Sequence, residues 1–350
     1  MTTTNKTILA LTILLGTTFF ESKATVLTVS NSTLNAGQYS SLQTAINAAA
    51  NGDTIYVTGS PFSYGDVKID RKLCLIGAGY AITGTQNNLR TTLGNIFFGS
   101  NGTLGTDQSG SSFIGLFLGT INYYSLAGSN IYLSRCYFTT ANIGGNGWLI
   151  ENNIITNLGF ISFNLSSCMV RNNYFLSGGN IYSNNAALDH SGLTLIHNII
   201  GCKLSNLNNA TVNNNVFFYS DISAWGGVNT CIFTNNITAS SVSSILPYGT
   251  NTGTGNINDV PFANLFAGGV STSQAFPAVL SIDWHLLPAS PGHNAATDGT
   301  DIGIYGGTMP MPNWTGASSL IPQMTLLDIQ NSDVPVNGNL NVRFKARKQD

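Results

Sequence analysis

The sequence predicts an all-β solenoid, a parallel β-helix in which short strands stack turn upon turn. The first observation is a six-residue phrase that occurs six times between Leu133 and Thr238: an apolar residue, three mostly polar residues and a largely apolar pair. The second is the spacing of the copies, which is 17, 20, 25, 17 and 21 residues. A period near twenty with variable insertions is typical of units that bury their apolar faces only by stacking on neighbours.

The fourth position of the phrase is Asn in five of the six copies, and we call this column the ladder. Its members are Cys136, Asn153, Asn173, Asn198, Asn215 and Asn236. Because the polar residues separate two apolar strand ends, the chain must bend there, and Asn tolerates the left-handed conformation that a tight bend requires. Stacked amides can also donate and accept, so we expect them to bond the turns above and below.

A short amphipathic helix is predicted ahead of the repeats, over residues 41–50. Its apolar residues lie on one face at helical spacing: Leu42, Ala45, Ile46 and Ala49. Strands are predicted on both sides of it at 25–30, 54–57, 67–69 and 73–77. Such a helix covers the apolar core at the open end of a solenoid.

Weaker copies extend the repeat region in both directions. Residues 94–98 and 113–117 are predicted as early turns with Gly in place of Asn. Residues 240–276 contain no clear copy and are predicted as loops around weaker coils, and 281–307 are predicted to close the solenoid. The sequence therefore predicts one β-helix domain over residues 25–308.

The first residues predict export. Lys6 is the only charge before the apolar run 8–20, and Ser22-Lys23-Ala24 supplies small residues before a cut. We expect a signal peptide over 1–24, cut after Ala24. A membrane anchor is the alternative, but a run of about thirteen residues is short for a span. The predicted location is therefore extracellular or at the cell surface, without a membrane span after signal removal.

A Pro-rich linker is predicted over residues 309–320, followed by a small β-hairpin tail over 321–350. Asn337-Gly338 is a hairpin turn signal. Apolar side chains alternate with polar or basic ones from residue 340 to residue 347, as in a strand with two different faces.

The composition restricts the partners. Only 8% of residues are charged, against roughly 25% in a typical soluble domain, so Asn, Ser, Thr and Gly must cover most of the surface. Such a neutral exterior suits sugars and argues against nucleic acid, which needs clustered Lys and Arg. The five Cys are an odd number without close pairs, which argues against disulfides. Cys168 and Cys231 are predicted to lie three turns apart in one interior column.

Three stretches resemble the right-handed parallel β-helix proteins of the pectate-lyase-like superfamily. They are the helix and first strand over 41–57, the Asn-Asn turns, and the closing motifs 283–286, 290–292 and 300–307. The tail from Ile321 is similar to appendages of Bacteroidetes-type surface proteins. The resemblance implies a right-handed helix. It implies no single activity, because the superfamily includes lyases, hydrolases, esterases, epimerases and adhesins.

No catalytic residue carries over from that superfamily, because the polygalacturonase pattern of paired Asp with Gly-His-Gly and the pectinesterase signature are absent. Uronate-cleaving enzymes need acidic groups and a cation near the substrate carboxylate. Residues 131–240 contain six formal charges in all. Two of them, Glu151 and Arg171, fall on successive turns in one outward column, which predicts an exposed ion pair.

The strongest catalytic hypothesis is Asp189, His190 and Asp221. A carboxylate that orients a His can make it a general base. The alternative is structural, because Asp189-His190 falls in the longest insertion of the repeat, where polar loop residues are ordinary. His197 follows at an Asn position of the phrase, which favours a structural role in the turn.

A second acidic group near the end of the β-helix predicts a metal site. Asp298 and Asp301 are its ligands in this hypothesis, with Asp283, His285 and His293 nearby in sequence. Ca²⁺ is the metal that such a site would take, because Gly-rich turns supply carbonyl oxygens. The alternative is that Asp301 caps a turn of the closing motif. No other cofactor is predicted.

The sequence as a whole predicts a protein that acts by binding or as a structural element, with polysaccharide or a cell-envelope component as its partner. The second hypothesis is a carbohydrate-active enzyme, a polysaccharide lyase or a glycoside hydrolase, on the same fold. An enzyme requires titratable groups that converge in a groove, whereas a binding protein requires an aromatic and amide surface.

Overall fold

The computed structural model describes residues 24–33, 36–81, 89–99, 108–123, 128–161, 164–218, 225–239, 245–270, 274–312, 314–318, 323–329, 334 and 336–347. Residues 1–23 of the predicted signal peptide lie outside this set. The chain forms a right-handed parallel β-solenoid of about eight turns, which confirms the predicted fold class. None of the described helices is long and apolar enough to cross a bilayer.

The first sheet runs along one side of the solenoid and contains, within the described residues, ten parallel strands. With strands numbered in chain order, they are β1 Val26–Val29, β2 Thr54–Val57, β4 Cys74–Gly77, β6 Ser112–Ile114, β8 Tyr132–Ser134, β10 Leu149–Glu151, β12 Cys168–Arg171, β14 Leu193–Ile196, β17 Thr211–Asn213 and β19 Ile232–Thr234. Their inward residues are apolar and alternate with outward ones, as strand geometry requires.

The second sheet forms the remaining wall of the solenoid and is also parallel. Its described strands are β3 Val67–Ile69, β5 Ile96–Phe98, β7 Phe117–Tyr123, β9 Tyr137–Ile143, β11 Ile154–Phe160, β13 Tyr174–Ser183, β15 Ile199–Ile200, β16 Lys203–Ser205, β18 Val216–Phe217, β20 Ile237–Ala239 and β21 Ile257–Val260. Phe138, Phe175 and Phe217 alternate with isoleucines in one fully buried interior column.

The predicted N-terminal cap is confirmed. Helix α1 (Leu42–Ala48) begins after Ser41, whose hydroxyl accepts a hydrogen bond from the main-chain N–H of Thr44. It buries Leu42, Ala45 and Ile46 against the first turn. The open end of the solenoid is thereby covered by apolar contacts rather than by charge.

The ladder amides form the predicted chain of hydrogen bonds. The Asn198 Oδ1 atom accepts from both N and Nδ2 of Asn173, at 2.9 and 3.1 Å. The Asn198 Nδ2 atom donates to the carbonyl oxygens of Val170 and Ile196 and to Oδ1 of Asn215. Each ladder amide therefore satisfies main-chain groups that the turn would otherwise leave buried and unpaired.

The residue before each ladder position adopts the left-handed conformation, with φ between 51° and 59°. We call these residues the outer column: Arg135, Asn152, Asn172, His197, Asn214 and Asn235. The prediction that the Asn pair turns the chain is thus confirmed, with the strained backbone at the first residue and the amide ladder at the second.

One more turn follows in the segment that is predicted to contain loops around weaker coils. Asn256 extends the ladder by accepting from N and Nδ2 of Asn236, at 3.1 and 3.0 Å. Asn251 makes a similar contact with the main-chain N–H of Cys231. This copy escapes the pattern because Thr, Gly and Asn surround Asn256, and only Ile257 of the expected apolar pair is present.

The charged pair on the first sheet is closer to the interior than predicted. Arg171 Nη2 lies 2.6 Å from Glu151 Oε2, so the pairing is confirmed, but the Glu151 side chain is only 2% exposed. The hydroxyl of Tyr132 donates to the other carboxylate oxygen. Burial together with the neighbouring carboxylate raises the pKa of Tyr132 to about 12.

The chain after β21 folds back over the outside of the second sheet. Two 3₁₀ helices, Phe262–Asn264 and Ala278–Ser281, lie in this part. It covers a second apolar cluster, formed by outward residues of the sheet such as Ile154, Tyr174 and Val216. The sequence predicts that 281–307 closes the solenoid, whereas the structure places this segment along its flank.

We call residues 295–318 the strap, because they run back along the outer column from the last turns towards the first. Hydrogen bonds from five outer-column side chains join the strap to that column. Asn235 bonds the Ala295 carbonyl, Asn172 bonds the carbonyls of Ile304 and Gly306, and Arg135 bonds the Ala317 carbonyl. Asn214 bonds Thr297, and His197 bonds the Asp298 carboxylate. Part of the segment predicted as a linker is therefore packed onto the solenoid.

The C-terminal hairpin is present as predicted. Strands β22 (Gln323–Ile329) and β23 (Val342–Arg347) pair antiparallel, and Asn337 in the turn has a φ of 67°. Val342 and Phe344 on one face of β23 are exposed.

Candidate aromatic cleft

The residues of the catalytic hypothesis point in different directions where the structure describes them. The Asp189 carboxylate accepts from N and Oγ of Ser191 and from Nδ2 of Asn209, and these bonds lower the pKa of Asp189. The His190 ring is fully buried, against Phe160, and burial lowers its pKa. Asp221 lies outside the described residues. The structure shows no hydrogen bond between Asp189 and His190, and their catalytic role stays a prediction.

The residues of the metal hypothesis are bonded to two different histidines. Asp298 Oδ2 lies 3.1 Å from His197 Nε2, and Asp301 Oδ1 lies 2.8 Å from His293 Nδ1. Asp301 Oδ1 also accepts from the main-chain N–H of Asn294, as a turn-capping Asp does. In the part of the chain that the structure describes, no group of three or more His, Cys, Asp or Glu converges on one point. The metal site stays a prediction.

Asp301 instead lies in the wall of an open cleft on the strap. The cleft has a volume of about 500 Å³ and is lined by His285, Asp301, Tyr305, Pro310, Met311, Pro312 and Trp314. Three of these seven side chains are aromatic, and none is Lys or Arg. A concave site with aromatic walls and a few polar groups is the usual form of a small-molecule or sugar site.

The aromatic side chains of the cleft hold one another in place. The His285 and Tyr305 rings are stacked, with centroids 3.7 Å apart and planes within 8°. Trp314 Nε1 donates to the Tyr305 hydroxyl at 3.0 Å, and burial raises the pKa of this hydroxyl. His285 Nδ1 lies 2.6 Å from Asp283 Oδ1. The cleft is therefore built from fixed rings rather than from mobile side chains.

Contacts with the second sheet and with the strap hold the walls of the cleft in position. Trp284, next to His285, is buried against Tyr174 of the second sheet, and its Nε1 donates to the Val279 carbonyl. The other side of the cleft is fixed by Met311, whose main-chain N–H donates to the Ile304 carbonyl at 2.7 Å. Because that same carbonyl accepts from Asn172, the cleft is tied directly to the outer column.

The cleft also has a consistent electrostatic character. Hydrogen bonds from the main-chain and side-chain N–H groups of His285 lower the pKa of Asp283. Residues 204–342 contain seven Asp and no Lys or Arg. This segment therefore carries acidic side chains without any Lys or Arg.

Sequence reasoning identified part of this cleft for a different purpose. Asp301 is a ligand of the predicted metal site, and His285 and Asp283 are near it in sequence. Trp314 lies in the predicted linker. A Trp two residues after the Pro-rich stretch 310–312 is the available signal, because an aromatic side chain on the surface often marks a binding site.

Comparison with known proteins adds no assignment. No protein-family model matches the chain, and no curated protein matches it.

Proposed function

We propose that this protein is an exported β-helix protein of the pectate-lyase-like superfamily that binds polysaccharide in the aromatic cleft. The observation that carries the proposal is the fixed group of His285, Tyr305 and Trp314 around an open cavity. Aromatic faces cover the C–H surfaces of a sugar ring, and adjacent polar atoms bind its hydroxyls.

Two further features support this proposal. The exterior carries few charges and many amides and hydroxyls, as expected for a protein that contacts neutral polymers. The cleft is also open along the surface rather than enclosed, so that a long chain could pass through it without being threaded. The solenoid itself supplies the rigid support that positions the strap.

Fluorescence titration with a panel of soluble oligosaccharides tests the proposal. Trp148, Trp225 and Trp284 are buried, so a change in emission on binding would come from Trp314. We expect saturable changes with at least one glycan class, and loss of binding by calorimetry in Trp314→Ala and Tyr305→Ala. Phe62→Ala is the matched control, because Phe62 is 68% exposed and lies after β2, outside the cleft.

Binding that survives both cleft substitutions would contradict the assignment of the site. Absence of binding to every glycan in the panel would contradict the proposed function itself.

Export is tested separately by the mature N-terminus. The proposed cut after Ala24 would give a secreted chain that begins at Thr25. N-terminal sequencing of the protein from the culture medium or the cell surface should find that residue. Retention of Met1 on protein inside the cell would contradict it.

A further inference from the structure

The cleft offers hydrogen-bond acceptors in excess of donors. Asp283 Oδ1 lies 2.6 Å from His285 Nδ1 and also accepts from the main-chain N–H of His285, so these two His285 groups are already engaged within the protein. Asp301 engages the protein through Oδ1, and its second oxygen remains as an acceptor. Pro310 and Pro312 contribute carbonyl groups but have no main-chain N–H.

The donors of the cleft are largely used within the protein. Trp314 Nε1 donates to the Tyr305 hydroxyl, His285 Nδ1 to Asp283, and the main-chain N–H of Met311 to Ile304. The hydroxyl hydrogen of Tyr305 remains as a side-chain donor. A ligand that brings several donors and a positive charge matches these groups, whereas a ligand carboxylate would meet Asp301 in a cleft whose lining contains no Lys or Arg.

Aromatic faces add to the same preference. A cation within about 6 Å of the centre of a Trp or Tyr ring is attracted electrostatically to the face of the ring. Tyr305 and Trp314 supply such rings beside the Asp301 carboxylate. Charge, hydrogen bonding and ring electrostatics therefore favour one kind of ligand.

From these contacts we infer that the cleft selects a polysaccharide with free amino groups, in which an ammonium group is bound between the Asp301 carboxylate and the aromatic rings. This inference rests on the proposed function and specifies its substrate class. A uronate polymer fits these contacts poorly, because its carboxylates would face Asp301 and the lining residues include no Lys or Arg.

Calorimetry on the full chain with three oligosaccharides of equal length tests this selection: an oligomer of glucosamine, the same oligomer N-acetylated, and an oligogalacturonate. We expect the free amine to bind about tenfold or more tightly than the acetylated form, a difference of one charge-assisted hydrogen bond. We expect no binding of the galacturonate.

Asp301→Asn separates charge from packing. Asn retains one oxygen acceptor for Asn294 and His293, so we expect the fold to persist and the preference for the free amine to fall to about twofold. Asp259→Asn is the matched control, because it removes the same charge from an exposed residue of β21 outside the cleft, and we expect the preference to persist there.

Equal binding of the free and acetylated oligomers, or tighter binding of the galacturonate, would overturn the inference and leave polysaccharide binding in place. Binding of oligolysine without any oligosaccharide would overturn both, since the cleft would then be a peptide site. If Asp301→Asn and Asp259→Asn changed the preference equally, long-range charge rather than the cleft would be responsible.

Discussion

His190 and Asn208 bond each other across two successive turns of the solenoid. The main-chain N–H of His190 donates to the Asn208 carbonyl at 3.0 Å, and the main-chain N–H of Asn208 donates to His190 Nδ1 at 3.2 Å. Because Nδ1 accepts, the proton of the neutral ring resides on Nε2, which is buried without a partner. A residue predicted as a catalytic base is thus built into the interior as a neutral side chain.

This arrangement predicts that the protein loses stability in mild acid. Burial lowers the pKa of folded His190 below the unfolded value of about 6.5, so the unfolded chain binds the proton more readily. The free energy of unfolding should therefore fall as pH decreases through 6.5. In His190→Gln we expect a smaller fall between pH 7.5 and 5.5, measured by urea unfolding at each pH.

His293→Gln is the control for this prediction, since that histidine is 40% exposed and His190 remains in place. A fall that is unchanged in His190→Gln would assign the acid sensitivity to other groups, such as His197, whose pKa burial also lowers.

The ladder makes a prediction of its own. Asn198→Ala removes the acceptor of two Asn173 N–H groups and the donor to Val170, Ile196 and Asn215, all in the buried turn. Buried groups without partners cost about 1–3 kcal/mol each. We expect a loss of about 3 kcal/mol or more in the free energy of unfolding.

Cys136→Ala is the matched change for Asn198→Ala, at the one ladder position without an amide. Cys136 makes only weak bonds through its sulfur, and its main-chain N–H keeps its bond to Asn153. We expect a loss of about 1 kcal/mol. Equal losses at the two positions would mean that packing, rather than hydrogen bonding, stabilises the column.

The parts of the fold that follow a period could be predicted, and the parts held by single contacts could not. The ladder and the cap helix follow spacings in which side-chain type reports burial, as at Asn198 and Leu42. The strap has no such period, because Asn172 binds main-chain carbonyls of Ile304 and Gly306, and a carbonyl carries no sequence signal.

The candidate site is hidden from sequence for a similar reason. His285 and Trp314 are 29 positions apart, and they reach the same cleft only because the chain turns over Trp284 and returns along the outer column. Sequence proximity instead grouped Asp298 with Asp301, which the structure pairs with different histidines. Proximity along the chain therefore does not show which side chains are bonded to each other in the fold.

The outer column predicts which hydrogen bonds hold the strap. Asn172→Gly keeps the left-handed backbone and removes both bonds from Nδ2 to the strap, so we expect a loss of about 1–3 kcal/mol. We also expect faster proteolytic cleavage within residues 295–318, measured by limited proteolysis.

Asn152→Gly is the control for that change, because Asn152 holds the same position one turn earlier, with a φ of 59°. The Asn152 Oδ1 atom is buried without a hydrogen-bond partner, so Asn152→Gly breaks no hydrogen bond between this side chain and the strap. Comparable proteolysis in the two variants would show that the strap is held by apolar packing alone.

The far end of the strap depends on close contact with Tyr80. Gly316 has a φ of 69°, and a Cβ at this position would lie 2.3 Å from Tyr80 Cδ1 and 2.9 Å from the Arg135 carbonyl oxygen. In Gly316→Ala we therefore expect the strap to separate from the first turns, because Tyr80 is fully buried and has no room to move.

Gly299→Ala is the control that isolates the backbone effect. Gly299 also lies in the strap, at a φ of 77°, with no atom within 4 Å of the added Cβ. In thermal unfolding, we expect the free energy of unfolding to decrease by about 1 kcal/mol in Gly299→Ala. The decrease in Gly316→Ala should be at least twice as large. Because Trp314 lies two residues before Gly316, glycan binding should weaken in Gly316→Ala and persist in Gly299→Ala. Equal stability and equal glycan binding in the two variants would rule out a role for the Tyr80 contact in positioning the cleft.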